Sequence, residues 1–273
     1  MTTLTLLELE QLTLPAHESW SPFCLKANRA LRASGLSYTR RTGSRPDAWR
    51  KYNATGQVPV LLVDERPVRD STAILREIEK LSGRSLSGNS PAERAESWLY
   101  EELADTSING FLVAARWADE RNWPRTRDAY FHSMPALIKA IIPGRLRAGV
   151  LANLVARDVW RAGPDACWSH FQHILDRLDE RAPAKGFWIG EQLSAADLAL
   201  FGQLHSMRTE LTPWQHQRVD ERPRLSAWLD RVHLATWNPA NARVPSSTPE
   251  EPCAAQTDSF ASSNSSAAQS ATR

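Results

Sequence analysis

Ser21-Pro22-Phe23-Cys24 places a hydroxyl and a thiol three residues apart at what reads as the start of a helix. The spacing is that of a redox C-P-x-C pair with serine in place of the first cysteine. Three chemistries are open to it. Cys24 alone cannot cycle as a dithiol without a nearby partner thiol. Ser21 could donate a hydrogen bond to a bound thiolate, which the positive end of a helix would also stabilise. Ser21 could equally be an N-cap and nothing more, with Pro22 at the first helical position.

Two further stretches carry groups suited to binding. In "QVPVLL" (57–62) Pro59 stands inside an apolar, strand-like run. Proline removes a ladder donor, so it marks either an edge strand or a cis bond that leaves the backbone edge at Val58 open to a ligand. Asp70 and Ser71 open the helix-like "DSTAILREIEKL" (70–81). A helix N-terminus presents free N–H groups to an anion. A ligand carboxylate could sit there, with Asp70 accepting from a ligand ammonium; the alternative is that both residues only cap.

A fourth motif, "QLSAADLALF" (192–201), reads as structural. Ser194 and Asp197 are spaced as a capping box, with Leu193 and Leu198 at the staple positions. Losing either cap residue is expected to cost roughly 0.5–2 kcal/mol, with no effect on chemistry.

The elements that must position these residues follow from periodicity. "LTLLELEQLTL" (4–14) alternates as a strand does, with Leu4, Leu6, Leu12 and Leu14 on shared faces. A helix runs from Pro22 along the stripe Phe23, Ala27, Ala30, Leu31 and Ser34 and stops at Gly35. "LSYTRR" (36–41) is a second strand, and residues 57–70 form a hairpin turning at Asp64-Glu65. From Ser90 to about Thr236 the apolar spacing is helical, as in Trp168, Phe171, Leu175 and Leu178. The expected layout is therefore α/β followed by all-α. Residues 1–81 form the first domain, 82–90 a Ser/Gly-rich linker and 91–237 an all-helical domain. Residues 238–273 form a Ser/Ala-rich tail expected to be disordered.

Composition narrows the function classes. The chain has 273 residues, 42% hydrophobic and 23% charged, with a net charge of +2. No overall field points to nucleic acid or to a membrane. "AIIPGRLRAGVLANLVA" (140–156) is broken by Pro143, Arg145 and Arg147, so it does not read as a span. The acidic N-terminal region does not read as an export signal, and the cytoplasm is the expected compartment. Cys24, Cys167 and Cys253 fit neither a disulfide framework nor a metal site, and no metal is expected.

Taken in order, these motifs resemble the glutathione transferase superfamily over about residues 4–235. "SPFCLKANRAL" is similar to the start of its first helix. "GQVPVLLVDERPVRDSTAIL" resembles its cis-proline and glutamyl-binding segment, and "GFWIGEQLSAADLALFGQL" its C-terminal capping-box helix. "SPFCLK" and "YFHSMPALIKAIIPGRLRAGV" are closest in wording to the branch containing metaxins and the failed-axon-connections proteins. The resemblance implies a thioredoxin-like domain, then the helical domain, and glutathione as cosubstrate. It implies Ser21 as the residue that activates the glutathione thiol. Val58, beside a cis Pro59, would bind the cysteinyl backbone, and Asp70 and Ser71 the γ-glutamyl end. Arg45 and Lys51 are candidates for the glycyl carboxylate. The implied activity is conjugation of glutathione to a hydrophobic electrophile, a detoxification chemistry. Trp20, Trp117, Tyr130 and Phe131 are candidates to line the electrophile pocket. A homodimer is compatible with this reading. The alternatives are a non-catalytic adaptor of the same fold, using the basic stretch 116–161, and a glutathione-dependent thiol reductase using Cys24.

Overall fold

A computed structural model describes residues 2–9, 18–43, 46–237 and 242–243. The first domain is built on β1 (Leu4–Leu9), α1 (Pro22–Ser34), β2 (Tyr38–Gly43), β3 (Val60–Val63), β4 (Arg66–Arg69) and α2 (Ser71–Ser82). β1 pairs in parallel with β2 and antiparallel with β3, and β3 with β4. Asp64 and Glu65, both at positive φ, make the hairpin turn. A two-residue strand, β5 (Ala242–Arg243), adds to β2 in parallel, giving the order β4-β3-β1-β2-β5. It falls where a tail without structure was expected; the rest of 238–273 lies outside the described residues, as do Leu12, Leu14 and Arg45.

The strand period of two sorts the sheet's side chains. Leu4, Leu6, Leu61 and Val63 pack with Ala27 and Leu31 of α1 and Ile74 and Ile78 of α2. Leu7, Val60 and Leu62 pack on the other face with Trp49. Ala27, Ala30 and Leu31 of the expected stripe are buried, but so are Lys26, Asn28, Arg29 and Arg32. A helix buried all round has more than one wall to fit. One side of α1 meets the sheet and the other meets the helical domain.

The helical domain begins with α3 (Pro91–Glu102), which runs through a π-turn (Leu103–Ile108), α4 (Asn109–Val113) and a second π-turn (Ala114–Ala118). Ser90 and Glu93 close a capping box at its start. Then come α5 (Trp123–Tyr130), α6 (Ala136–Lys139), α7 (Ile142–Ala156), α8 (Gly163–Arg181), α9 (Ala195–His205), α10 (Pro213–Asp220) and α11 (Pro223–Thr236). Trp168, Phe171, Leu175 and Leu178 are core, as their spacing predicts. The connection between the domains is tied down. Glu79 accepts from the Leu86 and Ser87 amides at 2.6 and 2.8 Å, and the Leu86 carbonyl accepts from Ala195.

Ser194 and Asp197 form the expected capping box. Asp197 does more than close it. Its carboxylate also accepts from the Trp188 amide at 2.7 Å and the Trp228 indole at 2.9 Å. The motif therefore ties the loop before α9 and the helix α11 to one buried acid.

Candidate functional site

α1 starts where chain chemistry and packing agree. Ser21 has extended backbone angles, and its hydroxyl accepts from the Cys24 amide at 3.3 Å. Pro22 follows at the first turn, where its missing N–H costs nothing. Gly202 of α9 lies directly behind this turn. A Cβ there would stand 2.8 Å from the Pro22 carbonyl oxygen, so only glycine lets the two helices approach this closely.

The helical domain holds the same turn from the side. Arg116, in the second π-turn, donates to the Trp20 carbonyl at 2.7 Å, the Ser206 carbonyl at 3.0 Å and the Tyr130 hydroxyl at 3.1 Å. Lys26, one turn into α1, is buried against Glu101 at 2.6 Å and Asp105 at 2.7 Å. Burial raises the Asp105 carboxyl, and Lys26 pulls it back down.

Ser21 opens onto a cleft of about 590 Å³ in the first domain. Val58, Pro59, Asp70 and Ser71 line it too, so all five residues singled out for chemistry meet in one place. The Val58–Pro59 bond is cis. Asp70 sits at φ 77°, in the left-handed region, and one of its carboxylate oxygens accepts from the Thr72 and Ala73 amides. Capping is therefore a role Asp70 has in the folded chain. Thr72, next along α2, donates its hydroxyl to Glu101 at 2.7 Å, which links the cleft's helix end to α3.

The opposite wall is a loop that sequence reading passed over. Gly56 turns at φ 73°, the Asn53 side chain donates to the Gln57 carbonyl, and Thr55 bonds to the Asn53 side chain. Arg69 borders the cleft, with its guanidinium on the Tyr52 carbonyl at 2.6 Å. The Asn-x-Thr-Gly turn just before Pro59 was the signal available for this wall. Lys51 is not among the cleft residues; its ammonium lies over the Tyr52 ring.

Cys24 is fully buried, and burial together with the Glu8 carboxylate pushes its thiol up to about 12. It is a packing residue, not an accessible thiolate. The four aromatic candidates form one cluster. The Trp20 and Tyr130 ring centroids are 4.0 Å apart, and Trp117 meets both Tyr130 and Phe131. Trp20 and Phe131 are buried within it, while Trp117 and Tyr130 are half-exposed.

Comparison with known proteins agrees with this layout. The model of the glutathione S-transferase N-terminal domain matches residues 22–122, and that of the glutathione S-transferase C-terminal domain matches residues 148–231. Among solved structures, the fold is similar to a glutathione transferase family member from Pseudomonas fluorescens pf-5 with two glutathione bound. The TM-score is 0.57 at 15% identity, covering 86% of this chain and 90% of that one. It is similar to the beta-etherase LigF from Sphingobium sp. strain SYK-6, with TM-score 0.53, 20% identity and coverage of 85% and 95%. It is also similar to FzlA from C. crescentus, with TM-score 0.56, 19% identity and coverage of 87% and 91%.

Proposed function

The chain belongs to the glutathione transferase superfamily, and on that premise we propose that it binds glutathione in the Ser21 cleft and transfers it to a hydrophobic electrophile. The observation that carries this reading is the convergence of Ser21, Val58, cis Pro59, Asp70 and Ser71 on one cleft. The resemblance to the superfamily gives each a role. The Val58 backbone pairs with the cysteinyl peptide. Asp70 and Ser71, at the N-terminus of α2, hold the γ-glutamyl carboxylate and ammonium. The Ser21 hydroxyl, at the N-terminus of α1, donates to the thiolate and favours its ionisation. The sulfur then attacks an electrophilic carbon. A C–S bond forms, and the leaving group departs with its electron pair. Holding both reactants together supplies the rest of the acceleration. The setting is cytoplasmic detoxification.

A second reading has its own observation. Trp20 and Phe131, two of the aromatic candidates for an electrophile pocket, are buried in contact with the other two, which favours an adaptor that keeps the fold and does no transfer. Calorimetric titration with glutathione, followed by an assay with a halonitrobenzene, separates the two. Saturable binding with turnover supports transfer. Binding without turnover, or no binding at cellular glutathione levels, supports the adaptor.

A further inference from the structure

The net charge of +2 conceals a local asymmetry. Between Trp123 and Arg147 stand Arg125, Arg127, Lys139, Arg145 and Arg147, against the single acid Asp128. The fold gathers part of this charge. Asp128 accepts from Arg127 at 3.1 Å and from Lys139 at 3.3 Å, so α5 and α6 bring two cations to one carboxylate. These cations hold the Asp128 carboxyl below its usual range.

The same segment leaves large apolar side chains in solvent. Leu137 is 85% exposed, Ile141 56%, Leu146 49% and Ile138 47%. Four such side chains lie within ten residues, where a monomer's surface apolar residues are usually scattered singly. α7 continues the pattern, with only Pro143 and Leu154 buried along its length. No helix among the described residues is long and apolar enough to cross a membrane. What the segment offers is exposed apolar side chains interspersed with basic residues, a composition shared by interfacial segments.

We propose that the α5–α6–α7 shoulder docks the protein on an anionic lipid surface, with Leu137, Ile138, Ile141 and Leu146 entering the acyl boundary and Arg127, Lys139 and Arg145 facing the headgroups. Charge complementarity selects this occupant: an anionic bilayer supplies both the apolar layer and the negative field that the segment needs. α5 ends at Tyr130, whose ring packs on Trp20, the residue before Ser21.

The test is co-sedimentation of the full chain with vesicles of phosphatidylcholine alone or mixed with phosphatidylglycerol. Binding is expected to the mixed vesicles only, and to weaken in high salt. Leu137→Glu with Ile141→Glu should abolish it, and both residues are exposed enough for the fold to tolerate the change. Lys139→Gln with Arg145→Gln should lower partitioning about tenfold or more. Absence of binding by the wild type, or binding unchanged in both variants, overturns the proposal. Sedimentation equilibrium covers the remaining occupant. A wild-type dimer that becomes monomeric in Leu137→Glu/Ile141→Glu, with no vesicle binding, would make this face a contact between two copies and overturn the lipid assignment.

Discussion

Arg116 of the helical domain holds the main-chain carbonyl of Trp20 at 2.7 Å, so the peptide leading into Ser21 is fixed from the other domain. Replacing Arg116 with Met removes this bond and those to Ser206 and Tyr130. It leaves buried carbonyls unpaired. Hydrogen bonds to charged groups are worth about 1.5–3 kcal/mol, and more than one is lost. Chemical denaturation should show a loss of about 3 kcal/mol or more, with the helix N-terminus at Ser21 loosened.

Ser21→Ala removes the cap bond to the Cys24 amide and should cost roughly 0.5–2 kcal/mol while leaving the chain folded. If Ser21 donates to the glutathione thiolate, the bound thiol's pKa should rise by roughly one to two units. The rate near neutral pH should then fall about tenfold and partly recover as pH rises. Thiolate absorbance against pH, wild type beside variant, is the measurement. Superimposable curves with glutathione bound in both would leave Ser21 an ordinary cap.

Ser194 and Asp197 should part company. Ser194→Ala removes one cap and should cost roughly 0.5–2 kcal/mol. Asp197→Ala strands the Trp188 amide and the Trp228 indole as well as the Ser194 amide, so about 3 kcal/mol or more is expected. Turnover per folded molecule should not change in Ser194→Ala. Thermal melts of the two variants side by side check the ranking.

His233 should make stability sensitive to mild acid. Burial, and then the Arg29 guanidinium 3.1 Å from Nδ1, hold the imidazole below its ordinary pKa. Arg208 pushes the same way, while Glu18 and Asp230 oppose it. The folded state thus resists a proton that the unfolded chain accepts. The resulting stability is complete above about pH 6.5 and is lost as pH falls through the depressed folded value. His233→Gln should flatten the dependence of melting temperature on pH between about pH 7 and pH 5. An unchanged slope would assign the acid sensitivity to other groups.

The order of elements was legible because it rests on local signals: period two in β1, the hairpin turn at Asp64-Glu65, caps at Ser21 and Ser194, and Gly35 at a helix end. The five cleft residues were legible because each stands at an element terminus whose chemistry is local. What escaped depends on distant partners. Nothing in the spacing of Lys26 distinguishes a solvated lysine from one buried between two acids seventy-five and seventy-nine residues away. Asp197 read as a cap residue because its second pair of donors comes from Trp188 and from α11. The basic stretch 116–161 was legible as charge, but the exposure of Leu137, Ile138, Ile141 and Leu146 within it was not, because burial depends on what packs against a helix.

The long helix of the helical domain carries two π-turns along its length. Each residue of an α-helix advances the side-chain direction by about 100°, and a π-turn absorbs one residue more than an α-turn would. Glu101 precedes the first π-turn, Asp105 lies within it and Arg116 lies within the second. The helix presents acids to Lys26 and, three turns on, a cation to Trp20. The eleven residues from Asp105 to Arg116 come, at about 100° each, within about 20° of three full turns, so the two share a face. Shortening the chain by one residue between Ile108 and Ala114 would leave Glu101 facing α1 and swing Arg116 away from it. In lineages that share this helix, single-residue insertions and deletions there would act as a dial on how the helical domain grips the loop before Ser21.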